Sequence, residues 1–402
     1  MVNYSCEKCG KEFSQKGHYT KHLNKKNPCV VESKVKEILN KVVEEKLKEL
    51  NVNTVVIEHI QSNKLKIVDS KLTFIDLCSG IGGFHFGLKK HKCVLACDIN
   101  KNCRESYKTN FDINCNEDIF ELNSKELCDF DILCAGFPCQ PFSSAGLQQG
   151  MEDDRSKVYD KILNIILEKR PGIILLENVK NLLIMNKGEV IKKIVSDLEK
   201  LNYNVSFCLL NTANFGLAQN RERVYIVCIN KTKFNNIWFD FTKLRSMNIR
   251  KNLKDIIDFN NKEYLDEDKY ILLESDKFKP QKSGLIFCGY LKGNLRKNGA
   301  LPDTEYLSRV HKQPNRIYHI NGVNPTLSSS ESSGRYFIYD GIGVRKLTIK
   351  ECFKIMGFPD NYKLHKKNNA NFCQIGNAVS PVLIENIYNE LCSQGFIQNL
   401  LV

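Results

Sequence analysis

A thiol, a carboxylate and a glycine-rich turn stand where this 402-residue chain can do chemistry. Cys139 follows the apolar run that begins at Asp131 and ends in Gly136, and Pro138 and Pro141 hold it in a turn. A buried strand whose far end offers a thiol in a fixed loop describes a nucleophile. Most of the 17 cysteines are expected to be buried, inert thiols. Cys139 stands apart because it lies beyond its strand. Glu177 closes a second apolar run, Gly172 to Leu176, so that strand delivers a carboxyl group at its end. Leu72 to Leu77 runs into Cys78-Ser79-Gly80-Ile81-Gly82-Gly83, a strand and turn whose backbone N–H groups let a ligand approach closely. The apolar run Cys93 to Cys97 ends at Asp98, a carboxylate placed to accept hydrogen bonds from ribose hydroxyls. A separate group near the N-terminus has metal spacing. Cys6 and Cys9 form a CxxC pair, and twelve residues separate Cys9 from His22.

Positioning these groups needs strands and helices in alternation. A helix over Ser156 to Lys169 separates the Cys139 strand from the Glu177 strand, and a further strand spans Val224 to Ile229. That alternation predicts an α/β domain with a doubly wound parallel sheet, whose functional groups meet at its carboxyl edge. Val35, Ile38, Leu39, Val42, Val43, Leu47 and Leu50 recur at helical spacing between Val31 and Asn53. The repeat covers too few heptads for a coiled-coil seam, so a spacer helix is expected, tethering the N-terminal group to the main domain. With 42% hydrophobic residues the chain can bury at least one large core. A net charge of +13 suits a polyanionic partner, although a merely soluble basic protein would also carry it. No stretch is apolar for 18 residues, and Met1 to Gly10 lacks a signal-peptide core. These features predict an intracellular protein with reduced cysteines and no membrane partner; the oligomeric state stays open with a monomer favoured, as do nucleus, cytoplasm and a viral replication site.

Phe137-Pro138-Cys139-Gln140-Pro141-Phe142-Ser143 resembles the nucleophile loop of the cytosine-C5 DNA methyltransferases. Other matches stand in the family's order: the Gly80–Gly83 turn, Asp98, Asp118-Ile119, Glu177-Asn178-Val179, Gln219 through Arg223, Arg345 through Thr348, Met356 through Pro359, and Gln374 through Val379. The resemblance implies a Rossmann-like domain dependent on S-adenosyl-L-methionine, with catalytic roles for Cys139, Glu177, Arg221 and Arg223. It implies a cofactor site made of Phe74, Asp76, Gly80, Ile81, Gly82, Gly83, Asp98, Ile99, Asp118, Ile119, Pro138, Asn377 and Val379. Relatives often have Glu where Asp98 stands. The implied division is a catalytic core at 71–231, an inserted target-recognition region at 232–335, and a returning catalytic segment at 336–402. The inserted region would lie against the major groove of duplex DNA. It carries Lys292, Arg296, Lys297, Arg309, Lys312 and Arg316, residue types that neutralise phosphates or read bases.

Residues 1–30, followed by the helical linker 31–70, resemble a ββα zinc finger of the two-cysteine, two-histidine type, with Phe13 and Tyr19 as its small core. Cys6, Cys9, His22 and Cys29 are the expected ligands of one structural Zn2+, with His18 the rival of Cys29. Gln15, His18 and Lys21 resemble the base-reading positions of such fingers.

The implied reaction explains why these residue types occur together. Attack of the Cys139 thiolate on cytosine C6 makes C5 electron-rich, Glu177 holds or protonates N3, and Arg223 stabilises charge at O2 while Arg221 supports the loop. The target base must leave the stack to be reached. Two rivals are a transfer-RNA cytosine-C5 methyltransferase of the same family and a catalytically idle DNA-binding relative. Phe-Pro-Cys in place of Pro-Pro-Cys, and the intact set of catalytic residues, favour the DNA enzyme.

Overall fold

The computed structural model describes residues 71–138, 154–278, 280–293 and 304–401, together with Tyr4–Ser5, Glu12–Phe13 and Thr20. The chain separates into two units, Met1–Ser70 and Lys71–Val402. In the first, β1 (Tyr4–Ser5) pairs antiparallel with β2 (Glu12–Phe13), Tyr4 opposite Phe13. Cys6, Cys9, His18, His22 and Cys29 lie outside the described residues, as does the expected linker helix.

Alternating apolar side chains build the second unit from its first strand. In β3 (Thr73–Leu77), Phe74 joins the core on one face of the sheet, and Ile75 and Leu77 join the core on the other. β4 (Lys92–Cys97) and β5 (Ile132–Ala135) flank β3 in parallel, and β6 (Ile173–Val179) continues parallel beside β5. The chain steps from β3 to one side and then returns to the other, which opens a crevice at the carboxyl ends of the central strands. β7 (Tyr203–Asn211), β8 (Gln219–Asn220) and β9 (Glu222–Asn230) follow, and the six-stranded order is β4-β3-β5-β6-β9-β7. α1 (Gly83–Gly87) and α2 (Lys101–Phe111) supply Phe84 and Tyr107 to the first core. α3 (Asp154–Lys169) and α4 (Glu189–Lys200) cover the other face with Ile162, Ile166, Ile191 and Ile194. Those isoleucines recur at helical spacing, and burying each contributes about 1.5–3 kcal/mol, so the helical stripe and the sheet face fix each other.

A second, five-stranded sheet has the order β10-β11-β12-β14-β15. Its strands are β10 (Tyr270–Leu272), β11 (Phe287–Leu291), β12 (Arg316–His319), β14 (Phe337–Tyr339) and β15 (Val344–Lys346), packed around Cys288, Ile317 and Phe337. Between them β13 (Asn324–Pro325) pairs in parallel with β8 and brings this region back beside Arg221. The sheets do not follow the expected limits at 232 and 335. Phe234, Phe239, Phe241 and Leu244 are buried in the first core, where α5 (Thr242–Ser246) packs on β7. β14 and β15, expected in the returning catalytic segment, complete the second sheet. A stretch without catalytic motifs can still carry core aromatics, and three of them sit just after β9.

α6 (Ile349–Met356) opens on a capping box, in which the Thr348 hydroxyl accepts from Glu351 N–H and the Glu351 carboxylate accepts from Thr348 N–H. It ends at Gly357, whose φ of 87° only glycine adopts freely. α7 (Asn368–Asn377), α8 (Pro381–Ser393) and α9 (Phe396–Leu400) follow, and Leu383, Ile384 and Leu391 of α8 complete the first core. No helix among the described residues is long and apolar enough to cross a membrane.

Candidate active site

The carboxyl ends of β3 and β4 make one wall of a cleft of about 630 Å³, within the range of small-molecule sites. The chain turns sharply after β3, with φ of 52° at Cys78 and 54° at Gly80. This aims Gly80 N–H at Asp98, which accepts it at Oδ2 (2.7 Å) and Asn100 N–H at Oδ1 (2.8 Å). Burial raises the Asp98 carboxyl above its usual range, opposed by those two N–H bonds. Ile99 and Phe120 expose apolar side chains to the cleft, and Asp118 caps the short turn Ile119–Glu121 by accepting Phe120 N–H at 2.9 Å.

The opposite wall is acidic and basic at once. Glu177 is near the end of β6, while Arg223 is at the start of β9. Because β9 runs antiparallel to β6, its beginning lies at the same edge as the end of β6, with Val179 opposite Arg223. Arg223 Nε stands 3.2 Å from Glu177 Oε1, and both side chains are largely buried. Burial pushes the Glu177 carboxyl above the usual glutamate range, although Arg223 and then Arg221 pull it back. Arg221 is 2% exposed. Its Nη1 donates to Gly376 O (3.1 Å) and Leu327 O (3.4 Å), and its Nη2 donates to Ala378 O (2.8 Å). Burial, then the neighbouring Arg223, lowers it to about 9. Asn178 is buried, and its Nδ2 donates to Phe137 O at 3.0 Å, which anchors the start of the loop that carries Cys139.

This arrangement offers a nucleoside-sized cleft, an acid and a cation at one sheet edge. A family model described as C-5 cytosine-specific DNA methylase matches residues 72–393. The chain belongs to that family. Similar proteins include the Type II methyltransferase M.HhaI of Haemophilus parahaemolyticus, 33% identical over 327 residues that cover 78% of this chain and 93% of that protein. The Type II methyltransferase M.NgoBI of Neisseria gonorrhoeae is 34% identical over 330 residues, 79% of this chain and 92% of that protein. Among solved structures, the S. pombe Dnmt2 methyltransferase shares the fold with a TM-score of 0.59 and 20% identity, over 81% of this chain and 99% of that one.

In this methylase the expected site residues fall into groups. Gly80, Asp98, Ile99, Asp118, Ile119, Pro138 and Asn377 line the cleft, together with Glu177, Arg221 and Arg223. Cys139 lies outside the described residues. Phe74, Asp76, Ile81, Gly82, Gly83 and Val379 are not among the lining residues. Phe74 is core, edge-on to His85, and Asp76 is fully buried with its Oδ2 accepting from the Tyr107 hydroxyl at 3.1 Å. Gly82 and Gly83 act from behind the wall. A Cβ on Gly83 would stand 2.2 Å from Val379 O, so the missing side chain lets the glycine turn seat directly on the Val379 backbone.

Asn178 and Gln374, expected only as parts of matched segments, also line the cleft, and the sequence reading missed Phe120 and the thiols of Cys78, Cys97 and Cys103 beside them. Asn178 had a signal, since it follows Glu177 at a strand end. Gln374 opens the matched segment that ends at Val379, and it exchanges hydrogen bonds of 3.0 and 3.3 Å with Ser106. Burial raises the thiols of Cys78 and Cys103 and pushes Cys97 up to about 12, so these three stay protonated near neutral pH. The lining fits S-adenosylmethionine, the cofactor of the family. Asp98 suits a ribose, Ile99 and Phe120 suit an adenine face, and the space above Gly80, where a Cβ would meet nothing within 4 Å, suits the amino-acid tail.

Proposed function

We propose that this methylase transfers a methyl group to C5 of cytosine within a specific sequence of duplex DNA, through a covalent bond between Cys139 and C6. The observation that carries the reading is the buried pair Glu177 and Arg223, which opens on the same cleft as Pro138, the residue before Cys139. S-adenosylmethionine, held against Gly80, Asp98 and Asn377, supplies the electrophilic methyl group. The Cys139 thiolate adds to C6 and pushes electron density onto C5. Glu177, whose burial favours its protonated form, keeps a hydrogen on N3 while charge develops in the ring. Arg223, beside it, donates toward O2. Loss of the C5 proton and expulsion of the Cys139 thiolate then restore the aromatic ring. Arg221 is committed to backbone carbonyls and acts as the clamp that holds the Gly376–Ala378 wall against the segment after β13 at Leu327.

The second sheet and the segment around β13 are assigned to target recognition, and residues 1–30 to a finger closed on one Zn2+ by Cys6, Cys9, His22 and Cys29. The support for the finger is its ligand spacing. Incubation with labelled S-adenosylmethionine and either duplex DNA or transfer RNA tests the reaction, with label expected in DNA alone. Duplex carrying 5-fluorocytosine at the target should form a denaturation-resistant adduct with the wild type and none with Cys139→Ala, which should still bind cofactor. An adduct that persists in Cys139→Ala removes Cys139 as the nucleophile.

A further inference from the structure

The six-stranded sheet ends in β4 on one side and β7 on the other, and the two edges differ. Asn116 covers the outer side of β4: its N–H donates to Ala96 O at 2.9 Å, and its carbonyl accepts from Asp98 N–H at 3.1 Å. On the outer side of β7, no backbone hydrogen bond among the described residues reaches another segment. β7 is nine residues long, with no charged residue, no proline and no bulge against β9. Those are the usual devices that keep an edge strand from pairing with another chain.

The register shows which of its backbone groups point outward. At the two ends of the ladder, Thr212 N–H donates to Arg221 O and Lys231 N–H donates to Asn202 O. Hydrogen-bonded pairs alternate along an antiparallel ladder, so the even-numbered residues of β7 bond to β9. The N–H and C=O groups of Tyr203, Val205, Phe207, Leu209 and Asn211 therefore point away from the sheet. Among the described residues the Cys208 thiol alone reaches one of them, Leu209 O at 3.6 Å. These five residues are arranged symmetrically about Phe207. A second copy turned about a two-fold axis there sets Phe207 opposite Phe207, Val205 opposite Leu209 and Tyr203 opposite Asn211. Every outward group then finds a partner, and the side chains nearest the axis are apolar. A slip by one residue would offer groups already bonded to β9. Phe207 is 39% exposed in the middle of this strand. Beside it Ile237 and Trp238 are also exposed, where Asn204 Nδ2 donates to Ile237 O at 3.0 Å.

We propose that β7 is a contact between two copies of this chain, paired antiparallel about Phe207 into one continuous sheet. The same edge meets itself and the β4 edge is covered, so the assembly closes at two copies. β7 runs parallel to β6, and the two-fold axis therefore turns the two clefts to opposite sides, where each works alone. Sedimentation of the full-length protein over a range of concentrations should show a monomer–dimer equilibrium. The amides of Val205, Phe207 and Leu209 should exchange with solvent more slowly as concentration rises. Phe207→Lys and Phe207→Glu each set like charges against each other at the axis, and each should weaken dimerisation by about 100-fold. Mixing the two variants should restore the dimer, because Lys then faces Glu, which only a residue opposing itself allows. Cofactor titration verifies that each variant is folded. A wild type that stays monomeric, with those amides unchanged by concentration, overturns the proposal. So does a dimer that survives in both variants, a mixture that stays monomeric, or growth beyond two copies.

Discussion

Glu177 is buried beside two arginines, and its protonation state decides what it can do. An ionised carboxylate there would only balance Arg223; a protonated one can hold a hydrogen on cytosine N3. Burial favours the second state more than in an ordinary glutamate. Glu177→Gln should therefore lower single-turnover methylation by about 100- to 10,000-fold while DNA affinity changes only a few-fold, because the charge it opposes appears during reaction. The sign with pH follows from the raised value. The wild-type rate should fall as pH rises through it, and the glutamine variant should lack that limb. Stability has the same sign: the folded protein keeps a proton that the unfolded chain releases, so this residue's contribution to stability falls as pH rises from the usual glutamate range to the raised one. Equal losses of rate and DNA affinity in Glu177→Gln would mark it as a binding residue. At this scale the place of Glu177 was legible, because the alternation of strands and helices sets the end of its apolar run at the same sheet edge as Gly80 and Asp98. A supporting role for Arg221 was implied by the resemblance, but its partners were not, since only folding brings the carbonyls of Leu327, Gly376 and Ala378 to it.

Elements add what residue types cannot, namely direction. An apolar run such as Val224 to Ile229 reads as a strand in either orientation. Its reversal relative to β6, visible only in the register, is what puts Arg223 at the carboxyl edge beside Glu177. A second junction joins β15 to α6. Arg345, fully buried, donates to both carboxylate oxygens of Glu351, at 3.0 and 2.8 Å, and to Asp258 O at 3.2 Å. Glu351 also accepts from Asp258 N–H at 2.9 Å, so one ion pair ties the second sheet, the Asp258 loop and the capping box of α6 together. Glu351→Gln leaves the guanidinium buried without its counter-charge, and urea unfolding should show a loss of about 3–5 kcal/mol. Replacing both partners with apolar residues should cost less than that single change. A loss below about 1 kcal/mol in Glu351→Gln would mean that water reaches Arg345 and the junction is loose.

Across the whole molecule, every group assigned to the reaction lies within Lys71–Val402, and the family match begins at residue 72. The alternation of strands and helices made the doubly wound core legible, since each strand buries both faces. The limits of the second sheet were not legible, because β14 and β15 are three residues each and join the sheet only through the parallel pairing of β14 with β12, across the intervening β13. The N-terminal unit poses a separate question. Its proposed ligands Cys6, Cys9, His22 and Cys29 precede a linker of about forty residues, and a tether of that length changes local concentration more readily than it reshapes a cleft. A finger reads only about three base pairs, so its contribution should be a modest, salt-sensitive gain in DNA affinity. A chain starting at Ser62 should accordingly keep its target sequence and its turnover at saturating DNA. The full-length protein should bind one zinc that is lost when Cys6 and Cys9 are changed to serine. Metal analysis and competitive methylation at rising salt measure both. If the shortened chain folds and binds cofactor yet methylates nothing, or methylates a different sequence, the N-terminal unit belongs to the reading or catalytic apparatus and the division of labour fails.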